Sequence, residues 1–146
     1  MLSPRLLPVL LAADRYGSAD ESEPLDRIRM QKGVFLFAKR GPKDWRDIYC
    51  YLPFDWGPYS SALASDLSDL VAEGLLDYEQ VPGRRFGRYR TTPAGERALA
   101  GIPLDPRIDT FVRAVRHFVT TRSFSELLRD VYAAFPVYAT RSRFQG

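Results

Sequence analysis

The chain has 146 residues, 45% hydrophobic and 13% aromatic, with no low-complexity tract or repeat; this fits one compact folded domain with a small helical addition and excludes a disordered or fibrous chain. The net charge of +3 comes from 18 arginines and 3 lysines against 18 acids, a balance that permits nucleic acid or an acidic protein partner and demands neither. One cysteine, Cys50, and one histidine, His117, exclude an internal disulfide and a Cys/His metal cluster.

Residues 3–16 carry leucines at 6, 7, 10 and 11 and predict a first core helix, with Pro4 in its first turn and Pro8 kinking it or delaying its start. The same stretch makes a poor secretion signal. Only Arg5 precedes it, and Leu11 is too large for the site three residues before a cut after Ala13. No apolar run reaches transmembrane length, so a cytoplasmic protein without a membrane partner is expected. Residues 17–24 read as an exposed acidic loop.

Residues 25–40 predict a second helix closed by Gly41-Pro42. Its apolar side chains point more than one way, the mark of a helix sandwiched between layers. Lys32 and Lys39 fall within the Ile28/Phe35 face. One reading has them snorkel to the rim; a sharper one has Lys32 hold a buried carboxylate such as Asp66, or reach a phosphate. Ile48–Leu52 reads as a short strand, with Cys50 as a small core residue. The nearby Tyr49, Tyr51, Phe54, Trp56 and Tyr59 read as core before base-stacking platform.

A third helix is predicted over 60–73, capped by Ser60 or Ser61 and buried through Leu63, Leu67, Leu70 and Val71. Opposite lie Ser61, Ser65, Ser68 and Ala72, with Asp66, Asp69 and Glu73 on one flank and no lysine or arginine anywhere in the helix. Residues 75–81 and 88–92 predict strands around Pro82-Gly83-Arg84-Arg85-Phe86-Gly87. Arg84, Arg85, Arg88 and Arg90 crowd this hairpin without an intervening acid. They suit either a solvated edge or contact with a phosphate backbone. Thr92-Pro93 opens a short helix to about Ala100, and 101–106 is a linker. Residues 105–121 form an amphipathic helix with Arg107, Arg113, Arg116 and His117 outside. Ser123 and Glu126 make a capping box for a last helix ending at Pro136. The tail holds Tyr138, Arg141, Arg143 and Phe144.

Helix, strand, basic loop and strand in that order predict an α+β fold, mostly α: a winged helix-turn-helix over 1–101 with additional C-terminal helices over 102–146. These helices either complete the core or form a dimer interface. Arg29-Met-Gln-Lys32, Val34-Phe-Leu-Phe37, Phe54-Asp-Trp-Gly-Pro-Tyr-Ser60, Asp66–Leu76 and Tyr89-Arg-Thr-Thr-Pro-Ala-Gly95 together resemble the bacterial winged-helix proteins of the YwgA and Panacea-like type. The last two segments also resemble the MarR and PadR regulators. The resemblance implies a winged helix without catalysis, acting in transcription control or as an antitoxin that binds a partner protein.

Two functions follow. The first is a DNA-binding transcriptional regulator: Arg84, Arg85, Arg88 and Arg90 would lie on the duplex backbone, with Ser60, Ser61, Ser65 and Lys32 offering further phosphate contacts. Three or four such contacts imply a log–log salt slope of roughly −3.

 The alternative is a protein-interaction module, antitoxin-like or adaptor, whose small-residue face on helix 60–73 receives a partner. Such a face lacks the Arg, Lys, Asn or Gln that read base edges, and its acids oppose phosphate. No catalytic residue, metal or cofactor is expected, since the chain has no Gly-rich phosphate loop and no nucleophile–base arrangement.

Overall fold

The computed structural model describes residues 2–140. Its elements are α1 (Leu7–Leu11), α2 (Arg27–Arg40), β1 (Leu52–Phe54), β2 (Gly57–Tyr59), α3 (Ser61–Ala72), β3 (Leu76–Glu79), β4 (Arg88–Thr91), α4 (Pro93–Ala100), α5 (Pro106–Thr120) and α6 (Phe124–Ala134). The class is α+β and mostly helical, with two separate two-stranded antiparallel sheets, β1–β2 and β3–β4.

Everything packs around α2. Its N-cap Asp26 accepts from the Arg29 backbone N–H at 2.9 Å, and every residue from Arg29 to Ala38 is buried. A helix apolar on several sides needs cover on several sides, and α1, α5, β2 and β4 supply it. Phe35 takes the edges of Tyr51, Phe135 and Tyr138 at centroid distances of 5.0–5.1 Å, the geometry favoured by the ring quadrupole.

The single helix expected over 3–16 is three pieces: 3-10 turns at Pro4–Leu6 and Asp14–Tyr16 flank a short α1. Pro4 and Pro8 each sit in the first turn of a piece, where a missing N–H is harmless, and Ala13 is extended and breaks the run. The carbonyls this exposes are met by a residue expected on the outer face of α5. Arg116 is buried and donates to Leu11 O at 2.8 Å and Ala13 O at 3.2 Å, while Glu21 balances its charge at 2.7 Å.

The strand expected over 48–52 is also displaced. Tyr49 and Tyr51 turn into the core from irregular backbone, and Cys50 between them is exposed, not buried. A ladder forms only where the turn at Asp55-Trp56 folds the chain back, pairing Leu52 with Tyr59 and Phe54 with Gly57. Of the five local aromatics only Tyr49 and Tyr51 are core; Phe54 and Trp56 are 48% and 40% exposed, and Tyr59 is half-buried.

Later elements follow their sequence signals. Ser60 caps α3, Thr92 caps α4, and Ser123 with Glu126 forms the reciprocal capping box of α6. Gly74, at φ +77°, takes the left-handed position that ends α3. The β3–β4 hairpin pairs Leu76 with Thr91 and Glu79 with Arg88. Beyond residue 101, Val112, Val115 and Val119 of α5 and Leu127 and Val131 of α6 join the same core as Leu10, Phe35 and Leu63. Tyr138 packs against that core, whereas Arg141, Arg143 and Phe144 lie outside the described residues.

One polar contact joins α2 to α3. The Gln31 amide donates to Ser60 O at 3.0 Å and accepts from Ser60 N–H at 2.9 Å, all of it buried. Replacing Gln31 with Ala leaves the buried Ser60 N–H unpaired, while Ser60 O keeps the Ala64 N–H at 3.1 Å. An orphaned buried group costs about 1–3 kcal/mol, so urea unfolding should show Gln31→Ala less stable by about that amount.

Candidate functional site

Of the residues singled out by sequence as nucleic-acid contacts, Lys32, Arg84 and Arg85 line one cleft of about 800 Å³, bounded by the start of α2, the β1–β2 hairpin, α3 and the loop between β3 and β4, whereas Arg88 and Arg90 line a separate depression with Asp14 and Glu21. Gly57, Ala64 and Ser68 also line the cleft. Ser61 and Ser65 are exposed on α3 but are not part of the lining.

Lys32 neither snorkels nor meets Asp66. Its side chain is buried at 2% exposure, and among the described residues its Nζ donates only to Pro58 O, at 3.4 Å. Asp66 instead accepts from the Tyr49 hydroxyl at 2.6 Å. Loss of water lowers the Lys32 pKa from 10.5 to about 7, with Asp26 opposing the shift weakly from a distance. Lys39, in contrast, is exposed and lies near the rings of Phe35 and Tyr138, as a snorkelling lysine should.

Gly57 lies over Lys32. Its φ is +96°, and a Cβ there would sit 2.8 Å from Lys32 Cε and 3.3 Å from Nζ. The position therefore excludes a side chain twice, by backbone conformation and by contact. Gly57 and Pro58 belong to β2, so the Gly-Pro-Tyr-Ser block is a strand leading into the cap and not the first turn of α3. Ser60 is 1% exposed, its N–H given to Gln31 and its Oγ accepting from the Leu63 N–H at 3.2 Å. Its groups are consumed inside the protein, which removes it from the phosphate contacts expected of it.

The basic hairpin is tied to the body. Arg84 meets Glu23 at 2.6 Å, Arg88 meets Glu79 at 3.1 Å and Arg90 meets Asp14 at 3.1 Å. The Glu23 and Asp14 partners come from segments distant in sequence, so the absence of acids within the loop did not reveal them. Glu23 also faces Arg29 at 3.5 Å, and Arg29 is held by Asp26 at 2.7 Å. These partners keep the Arg84 and Arg90 guanidiniums charged, chiefly through their hydrogen bonds to Glu23 and Asp14. The strand itself is anchored by Tyr89 N–H donating to Leu25 O at 2.8 Å. Arg85 differs: it faces the Phe86 ring at 5.4 Å, and Arg27, from the start of α2, covers the same ring at 4.1 Å. Among the described residues neither Arg27 nor Arg85 has a carboxylate within ion-pair distance.

On α3, Ser61, Ala62, Ser65, Ser68, Asp69 and Ala72 are exposed, and Val71, expected in the buried stripe, is 36% exposed. Glu73 is paired with Arg5. Across the cleft from this helix stand Phe54, which stacks on Tyr59 at 5.0 Å, and Trp56, which meets Phe124 at 5.5 Å. Sequence reasoning missed Gln31, Glu23 and Arg27. The sign for Gln31 was present, as an uncharged amide in the middle of an otherwise buried helix. No group of three or more potential metal ligands occurs among the described residues, and none of their helices is long and apolar enough to cross a membrane. No protein-family model matches the chain, and no curated protein is significantly similar to it, so the resemblance to winged-helix families rests on its motifs alone.

The buried ammonium has a measurable signature. With its folded pKa below the unfolded value, the unfolded chain holds the Lys32 proton more tightly, so the group destabilises the fold fully below pH 7. That cost fades as pH rises from about 7 to 10.5. Lys32→Met should therefore stabilise the protein by about 1–3 kcal/mol at pH 6. Urea unfolding at pH 9.5 should show the gap between variant and wild type much reduced.

Proposed function

We propose that this chain is a non-catalytic winged helix-turn-helix protein that binds a protein partner across α3 and the aromatic rim beside it. In this reading α2 and α3 form the helix pair, and β3–β4 with its loop forms the wing. The observation that carries it is the exposed face of α3, which presents small side chains, Asp69 and no cation, beside the exposed Leu52, Phe54 and Trp56 at 59%, 48% and 40%. Clustered large apolar side chains on a surface mark protein contacts. A helix without Arg, Lys, Asn or Gln has little with which to read base edges.

The DNA-binding reading, a transcriptional regulator gripping duplex backbone through Arg84, Arg85, Arg88 and Arg90, keeps one specific support. Arg85 and Arg27 flank Phe86 without acid partners, and surface ion pairs such as Arg84–Glu23 are weak enough to exchange for phosphate. Against it, three of the four wing arginines already face carboxylates of the same chain. A homodimer would have to use the outer faces of α5 and α6, because their valine and leucine stripes are buried in the chain's own core.

Ser65→Trp separates the two readings, since Ser65 is exposed and a bulky residue there spares the fold. Affinity capture with the wild-type chain from its native cells should yield one stoichiometric partner, and Ser65→Trp should weaken it tenfold or more. A random duplex, followed by fluorescence polarisation, should show only weak, non-specific binding at 100 mM salt. Tight duplex binding that survives Ser65→Trp, falls with a salt slope near −3 and is lost in Arg84→Glu/Arg85→Glu would overturn the proposal in favour of DNA.

A further inference from the structure

We propose that the cleft between α2, the β1–β2 hairpin, α3 and the basic loop binds a small organic anion, whose charged group sits on Lys32 and whose apolar body lies against the aromatic wall. This goes beyond the partner-binding reading and does not rest on it. The first observation is Lys32 itself. A buried ammonium is costly without compensation, yet this one has three donors and, among the described residues, a single long contact, to Pro58 O at 3.4 Å. Around a buried structural lysine, acceptors should crowd; here the side chain lines an open cleft instead.

The second observation is Gly57, which lines the same cleft above Lys32 and where any side chain would meet Lys32 Cε and Nζ. Only bare backbone lies over the ammonium at this position, with no side chain between it and the cleft that both residues line. The third is the charge balance of the lining. Five cations, Arg27, Arg29, Lys32, Arg84 and Arg85, outnumber three carboxylates, Glu23, Asp26 and Asp55, in the lining; Glu23 and Asp26 are engaged by Arg29 and Arg84, while Lys32, Arg27 and Arg85 have no carboxylate at ion-pair distance among the described residues. The wall opposite is apolar and aromatic, with Phe54, Trp56, Tyr59 and Phe124. At about 800 Å³ the space suits a small molecule. An anion supplies what Lys32 lacks, in a lining where cations outnumber carboxylates.

The probe pair that tests this is 1-anilinonaphthalene-8-sulfonate, a flat apolar anion, and N-phenyl-1-naphthylamine, the same body without the charge. Titrated by fluorescence at pH 6, the sulfonate should bind the wild-type protein at least tenfold more tightly than Lys32→Met. The neutral probe should bind both alike. Equal sulfonate affinity for the two proteins, or a parallel loss of both probes in Lys32→Met, would refute the proposal.

A second measurement needs no variant. The charged and titratable groups facing Lys32 are Asp26, Arg27 and Arg29 of α2, Glu23 before it, Asp55 and Tyr59 of the β1–β2 hairpin, and Arg84, Arg85 and Tyr89 of the basic hairpin; the lining residues of α3 and α6 are uncharged. Carboxylates, phenols and guanidiniums ordinarily titrate well away from pH 8. Calorimetry of sulfonate binding at pH 8 in buffers of different ionisation enthalpy should therefore show proton uptake approaching one per anion. Binding without proton uptake would overturn the assignment of the charge to Lys32.

Discussion

The reciprocal pair of hydrogen bonds between the Gln31 amide and the Ser60 backbone holds the site together. It is buried, so neither partner has water as an alternative, and its geometry imitates one rung of a β-ladder. Because Ser60 is also the cap of α3, the rung fixes the starting point of that helix against the centre of α2. The residues just before Ser60 are then committed: Pro58 and Gly57 must pass directly over Lys32, one turn-position beyond Gln31. A single amide thus determines where the third helix begins and what lies under the β1–β2 hairpin.

Electrostatics divides the surface into two kinds of cation. Arg29 and Arg116 are interior struts, one holding the entry to α2 and the other closing the carbonyl end of α1, and both are matched by acids. The arginines of the basic hairpin are exposed and mostly paired, so their field is partly cancelled at its source. Around the cleft, the cations without a carboxylate partner among the described residues are Arg27 and Arg85 about Phe86, and Lys32 at its base.

The C-terminal helices show how packing resolves an open choice. An amphipathic helix states only that one face must be covered, and a second copy of the chain would serve as well as the chain itself. Here α2 is apolar on the side that α1 and β4 leave bare, and α5 covers it; Phe111 meets Phe37 there at 5.9 Å. The valine stripe of α5 is thereby covered within the chain itself.

From sequence alone, the helices near 25–40 and 60–73, the β3–β4 hairpin with its basic loop, the last three helices, the caps at Ser60, Thr92 and Ser123 and the absence of cations on α3 were legible, whereas the broken start of the chain and the β1–β2 hairpin were not. Each legible feature is a local matter of propensity, spacing or residue type within a few positions. The burial of Lys32, the inward turn of Arg116, the exposure of Cys50, Phe54 and Trp56, and the partners of Arg84 and Arg90 were not legible. Those depend on which distant segments arrive beside them, Glu23 and Asp14 for the arginines and Gly57 for the lysine. Periodicity says that a helix face is apolar; only the packed chain says what stands opposite a charge, and therefore whether that charge is matched, exposed or left waiting for a ligand.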